Sequence, residues 1–248
     1  MKYELRNHYS SNLEREMSYG VYGHAGRIVI AFASQDGKNN NFADFGMVEQ
    51  LSPWIDAGKI QVFTPDSIDE ESWSDKYGDP AHRALMQEKW YHYICDEFIP
   101  RIQHETGNFD PILTTGCSMG AFHAGNFALR RPDLFCGCIA MSGFYKANLF
   151  FGDYMDENLY ANSPCDCLRN LPADHPYIDM YNDRDLIFCI GQGDWEWDLL
   201  PSNRELQSIF QEKGIHAWFD YWGFDVNHDW PWWRKMIVYF MEIVMGPA

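Results

Sequence analysis

A mostly parallel α/β sheet with helices on both faces is the fold class predicted for this chain of 248 residues. Three observations predict it. Short, nearly continuous apolar runs recur along the chain, as strands buried on both faces require. Longer stretches of helical length alternate with them. In the middle, Pro111 to Arg130 (PILTTGCSMGAFHAGNFALR) reads as a buried strand, a sharp turn and a helix. No repeat, low-complexity tract or linker interrupts the pattern. One domain over residues 1–248 is therefore expected, long enough for a sizeable core.

In chain order, Glu14 to Tyr22 alternates, with Met17, Tyr19 and Val21 on one face, and reads as an antiparallel strand near a sheet edge. Arg27 to Ala33 (RIVIAFA) reads as a central strand, followed by the polar loop Ser34 to Asn41. A helix is expected from about Asp44 to Ala57, ended by Gly58. Gln61 to Pro65 is the next strand, Asp66 to Pro80 a loop, and Ala81 to about Glu105 a long helix. Cys136 to Ser142 and Leu186 to Gly191 are further buried strands, and His216 to Tyr221 is the last. Helices are expected over Ser202 to Lys213 and from Pro231 to about Val244. Between Gly143 and Arg184 no period is discernible. An irregular segment of that length within a compact domain is usually functional, and residues 143–184 are expected to form a small cap or pocket wall.

The central turn carries Gly116-Cys117-Ser118-Met119-Gly120, the G-x-S-x-G pattern of a nucleophile elbow. Glycines suit the flanking positions because side chains there would collide with the neighbouring strand and helix. The helix that follows offers the Met119 N–H to a developing oxyanion. A serine hydroxyl needs a base, and the base an orienting acid. In this arrangement the chain order is serine, acid, histidine, each in a loop at the C-terminal end of a strand. Of nine histidines, only His175, His216 and His228 follow a plausible acid. His175 lies in the irregular segment and His216 at the wrong end of a strand. His228 lies in the loop after the last strand, where the base belongs. The acid comes from Asp194, Glu196 or Asp198, all in the loop after the strand Leu186 to Gly191; spacing does not choose among them. The second oxyanion donor is expected to be a backbone N–H of Ser34 or Gln35, and Gln35 is taken in the expected mechanism. Trp73, Trp195, Trp197, Trp222 and Trp230 lie near these loops, and Trp73 and Trp222 are expected to bind substrate.

Composition narrows the partners. Apolar residues make up 46% and aromatics 17%, which favours an aromatic-lined pocket and aryl or bulky substrates. The net charge of −17 argues against binding nucleic acid or an anionic membrane. The opening residues form no apolar leader and no run reaches membrane-spanning length. Seven cysteines match no zinc spacing and read as free thiols, so a cytoplasmic location and no metal or organic cofactor are expected.

The sequence resembles the Putative esterase family of α/β-hydrolases, related to esterase D (S-formylglutathione hydrolase), feruloyl and acetylxylan esterases and mycolyltransferases. The likeness covers most of the chain. It rests on Asp44-Phe45-Gly46-Met47, Asp66-Ser67 with Ser72-Trp73, the elbow through Ala121, Tyr160-Ala161-Asn162-Ser163-Pro164, Gly191-Gln192-Gly193 with Trp195-Glu196, and Tyr221-Trp222-Gly223 running through Asn227-His228-Asp229-Trp230-Pro231-Trp232-Trp233-Arg234-Lys235. The last two are long and specific. The resemblance implies an α/β-hydrolase fold and carboxylic ester hydrolysis by a Ser/acid/His triad, with Ser118 and His228 in place and Glu196 ranked ahead of Asp194. The loop Phe32 to Gly37 departs from the Pro- and Gly-richer loop common in the family. An acyltransferase or thioesterase would use the same triad. A non-catalytic binding protein on this fold would be expected to lack Ser118 or His228. The oligomeric state and the natural acyl and alcohol groups are not legible here.

Overall fold

In the computed structural model, which describes residues 1–247, eight strands form one sheet in the order β1-β2-β4-β3-β5-β6-β7-β8. These are β1 (Tyr3–Ser10), β2 (Arg15–Tyr22), β3 (Arg27–Phe32), β4 (Ile60–Pro65), β5 (Ile112–Cys117), β6 (Phe135–Met141), β7 (Asp185–Ile190) and β8 (Trp218–Tyr221). The pairs β1/β2 and β2/β4 are antiparallel and all the others parallel. Along β3 the side chains alternate between two cores: Ile28, Ile30 and Phe32 face one, Val29 and Ala31 the other. Both faces of the inner strands are therefore covered, which explains their unbroken apolar runs.

The second core lies under α2 (Met47–Asp56) and α11 (Trp230–Met245). The first lies under α3 (Pro80–His92), α4 (Ile99–Thr106), α5 (Met119–Arg130) and α10 (Leu200–Lys213). Four short helices, α6 (Asn148–Phe151), α7 (Glu157–Ala161), α8 (Pro164–Arg169) and α9 (Pro176–Asn182), occupy the stretch that showed no period.

Three elements differ from expectation. The edge strand β1 is additional; its exposed row is Tyr3, Leu5, Asn7 and Tyr9, while Glu4, Arg6, His8 and Ser10 face the protein, so its alternation is the reverse of that of a core-facing strand. The helix expected from Asp44 is two: α1 (Asn41–Asp44) ends before Gly46, which takes φ +75° and starts α2. The long helix from Pro80 passes through a π turn at Tyr93–Phe98 before α4, where Pro100 has no N–H to continue the regular ladder. Among the described residues no helix is long and apolar enough to cross a membrane.

Candidate active site

The C-terminal ends of β3, β5, β6 and β7 converge on Ser118. This residue joins β5 to α5 at φ +59°, a conformation a non-glycine residue holds only when its surroundings enforce it. The glycines enforce it by close approach. A Cβ on Gly116 would stand 2.3 Å from the Gly120 backbone, and one on Gly120 would stand 2.3 Å from the Phe32 carbonyl oxygen. The Ser118 N–H is anchored on the Met141 carbonyl at 2.9 Å, which leaves the hydroxyl at the tip of the turn.

His228 follows β8 in a loop closed by its own N–H donating to the Asp194 carbonyl at 2.9 Å. Its Nε2 lies 2.9 Å from Ser118 Oγ, and its Nδ1 lies 2.9 Å from Glu196 Oε2. Glu196 is fully buried. Its other oxygen accepts the Ser142 hydroxyl at 2.5 Å and the Gly191 N–H at 3.3 Å. The Trp233 indole N–H donates in turn to Ser142 Oγ at 2.9 Å, and its ring meets the His228 imidazole edge-on at 4.8 Å. The carboxylate accepts from Nδ1, which leaves Nε2 free to accept the serine proton.

Asp194, the alternative acid, points to solvent. The backbone turns at Trp195, held at φ +68°, and this turn sends Glu196 inward and leaves Asp194 outside. Asp198 is also exposed, on the wall of the cleft.

The N–H groups expected to face an oxyanion have no acceptor among the described residues. Met119 is the first residue of α5 and its N–H is unspent. In the loop after β3, Ser34 N–H donates to Asn41 Oδ1, Gly37 N–H to the Ser34 carbonyl, and Asp36 N–H to Asp69 Oδ2. Gln35 N–H alone of these four is left over. The loop is held by the segment after β4 rather than by proline or glycine: Asp66 Oδ1 accepts the Asn39 N–H and amide at 2.8 and 2.7 Å, and Ser67 Oγ donates to the Gly37 carbonyl at 2.8 Å.

A cleft of about 720 Å³ opens over Ser118, Met119, Gln35 and His228. Its walls include Phe144, Leu149, Phe150, Leu199 and Trp195, with Lys76 also lining it. Two expected wall residues lie elsewhere. Trp73 is fully buried behind Phe144 and Phe150, with its indole N–H bound to Gln87 Oε1 at 2.9 Å, so it supports the wall without reaching the cleft. Trp222 packs against Tyr239 and donates to Asp220, away from the cleft. Trp195, 74% exposed, is the tryptophan on the wall. Ser142, Leu149 and Leu199 carried no sequence signal of a role; Ser142 has only its place at the end of a predicted strand, and Trp233 only its place in the stretch that resembles the family.

The sequence model of the Putative esterase family matches residues 10–239. No curated protein sequence matches the chain. Among solved structures, a ferulic acid esterase superposes with a TM-score of 0.77 at 18% identity, covering 98% of this chain and 97% of its own. An S-formylglutathione hydrolase from Agrobacterium tumefaciens gives 0.73 at 15% identity, covering 97% and 93%. FphF, a fluorophosphonate-binding serine hydrolase of Staphylococcus aureus, gives 0.72 at 16% identity, covering 100% and 99%. At these identities the three share the α/β-hydrolase fold. With 10–239 matched, the chain belongs to the Putative esterase family and is a carboxylic ester hydrolase.

Proposed function

We propose that Ser118, His228 and Glu196 form a catalytic triad that hydrolyses small-molecule carboxylic esters through an acyl-enzyme. The single observation that carries this reading is the continuous hydrogen-bond chain from Ser118 Oγ through His228 to the buried Glu196 carboxylate, with both links at 2.9 Å. His228 Nε2 takes the Ser118 proton as Oγ attacks the ester carbonyl. The Met119 and Gln35 N–H groups stabilise the oxyanion of the tetrahedral intermediate. The intermediate collapses, and the alcohol leaves with the proton from His228. Water, deprotonated by His228, then attacks the acyl-serine and releases the acid. Glu196 holds the tautomer and stabilises the imidazolium.

The apolar walls from Phe144, Leu149, Phe150 and Leu199 suit an aryl or bulky acyl or alcohol group, and residues 143–184 supply three of the four. Seven free thiols suit a reducing compartment, and the cytoplasm is the proposed location.

The test is a panel of p-nitrophenyl acetate, butyrate and octanoate, methyl ferulate and S-formylglutathione, run on wild type and on Ser118→Ala. Serine-dependent turnover is expected, with the preferred ester reporting the cleft's size. Turnover by Ser118→Ala at the wild-type rate would refute the triad. A preference for thioesters, or new esters formed from added alcohols, would move the reading to a thioesterase or an acyltransferase.

A further inference from the structure

One buried polar pair is left without a part in that chemistry. Asp69, 1% exposed, begins the short 3-10 turn Asp69–Glu71 after β4. His123, fully buried, lies on α5 one turn beyond Met119. His123 Nε2 stands 2.9 Å from Asp69 Oδ1, and Asp69 Oδ2 accepts the Asp36 N–H in a long contact of 3.4 Å. The imidazole is enclosed by Phe32, Trp90 and Phe122, and its Nδ1 has no partner among the described residues.

Such a pair is costly. Polar side chains taken out of water cost free energy unless every polar atom is paired, and here His123 Nδ1 is not, so the pair calls for a purpose beyond packing. Its placement offers a purpose. Asp36 is the third residue of the turn Ser34–Gly37 and takes φ +60°, a strained choice for a residue other than glycine. Asp69 accepts the N–H of the peptide that follows Gln35, while Asn41 accepts the Ser34 N–H, one peptide before the one that carries the Gln35 N–H. His123 ties Asp69 to the helix whose first N–H belongs to Met119.

We propose that Asp69 and His123 are positioning residues for the oxyanion pocket, fixing the Gln35 turn against the start of α5 so that two N–H groups converge on one oxygen. The loop Ser34 to Asn41 is polar and contains no proline, and the buried pair supplies its rigidity. The inference rests on the serine-esterase reading.

The test uses three variants of the full chain, with thermal melting as a check on folding. His123→Phe removes the donor to Asp69. His123→Gln keeps a donor near the Nε2 position. Asp69→Ala/His123→Phe removes the polar pair together and leaves neither side chain behind without its partner. His123→Phe and the double variant are expected to lose kcat on p-nitrophenyl acetate by about tenfold at a KM within about twofold of wild type, since small misplacement of transition-state donors falls on kcat. Affinity for a boronic acid inhibitor, whose boron becomes tetrahedral when Ser118 Oγ bonds to it, should fall by the same factor, and His123→Gln should recover most of both. A folded double variant with wild-type kcat and wild-type boronate affinity would overturn the proposal. So would a His123→Gln as impaired as His123→Phe, or a double variant that does not fold, since the pair would then serve the fold. Loss of the esterase reading itself shows separately, as wild-type turnover indifferent to Ser118→Ala.

Discussion

Cys117 adjoins Ser118 in the chain but faces the core on β5, fully buried, and burial pushes its thiol well above its ordinary value. It stays protonated and inert. Iodoacetamide is therefore expected to leave ester hydrolysis of the folded protein unchanged, whereas a fluorophosphonate abolishes it. Inactivation by iodoacetamide that substrate prevents would point to sulfur chemistry instead. Ser142 supplies a second test at this scale. Its hydroxyl joins Glu196 to Trp233, so Ser142→Ala leaves a buried carboxylate oxygen short of a donor. A lost hydrogen bond to a charged group costs about 1.5–3 kcal/mol. If part of that falls on the transition state, kcat drops roughly tenfold at unchanged KM; steady-state kinetics of Ser142→Ala checks it. The neighbourhood of Ser118 and His228 was legible in the sequence because the elbow pattern and the chain order depend on residue type and position. The separation of Glu196 from Asp194 rested on the family resemblance and not on spacing. Both lie in one loop, and the backbone turn at Trp195 decides which faces inward. The tryptophans show the same limit: Trp73 and Trp195 are alike in type, and packing alone puts one in the core and the other on the cleft.

At the scale of elements, the elbow depends on backbone touching backbone. Gly120→Ala would put a methyl group 2.3 Å from the Phe32 oxygen and 2.6 Å from the Ala33 oxygen, and neither can swing aside. A loss of about 3 kcal/mol is expected from such overpacking, seen as a fall in Tm of roughly 6–12 °C in a chain of this length. An unchanged Tm would mean that the β3 loop moves freely, against the rigidity argued for it. The central strands were legible because burial on both faces leaves a continuous apolar run. The edge strand β1 was not, since its apolar residues Tyr3, Leu5 and Tyr9 face solvent and its polar Glu4, Arg6, His8 and Ser10 face the protein, the reverse of the usual alternation. The helices α6 to α9 run four to seven residues, too short to establish a 3.6-residue period. Their starts are marked instead by caps, at Asp156 before α7 and by Pro164 and Pro176 inside α8 and α9.

At the scale of the whole molecule, β1 is joined to the helical layer through His8. Its imidazole stacks on Tyr93 and Phe98, 7% exposed, and neither ring nitrogen has a partner among the described residues. Burial lowers its pKa, and Arg101 acts in the same direction, while Glu97, Glu105 and Glu16 oppose. The unfolded chain therefore binds this proton more readily than the folded one. Stability from the neutral ring is present above about pH 6.5, the unperturbed value, and is lost as pH falls from there through the folded pKa. His8→Phe is expected to flatten this limb: between pH 7.5 and 5.5 its Tm should fall less than that of wild type. Equal slopes would show that the ring is solvated in solution. This acid response belongs to the far edge of the sheet and leaves the site at the C-terminal ends of β3, β5, β6 and β7 unaddressed. For that site the most direct measurement is intact-mass analysis of enzyme quenched within milliseconds of mixing with p-nitrophenyl acetate, followed by peptide mapping. The account predicts one acetyl group per chain, carried by Ser118 and absent from Ser118→Ala. An acetyl group on another residue, or wild-type turnover with no acyl-enzyme at any quench time, would contradict it.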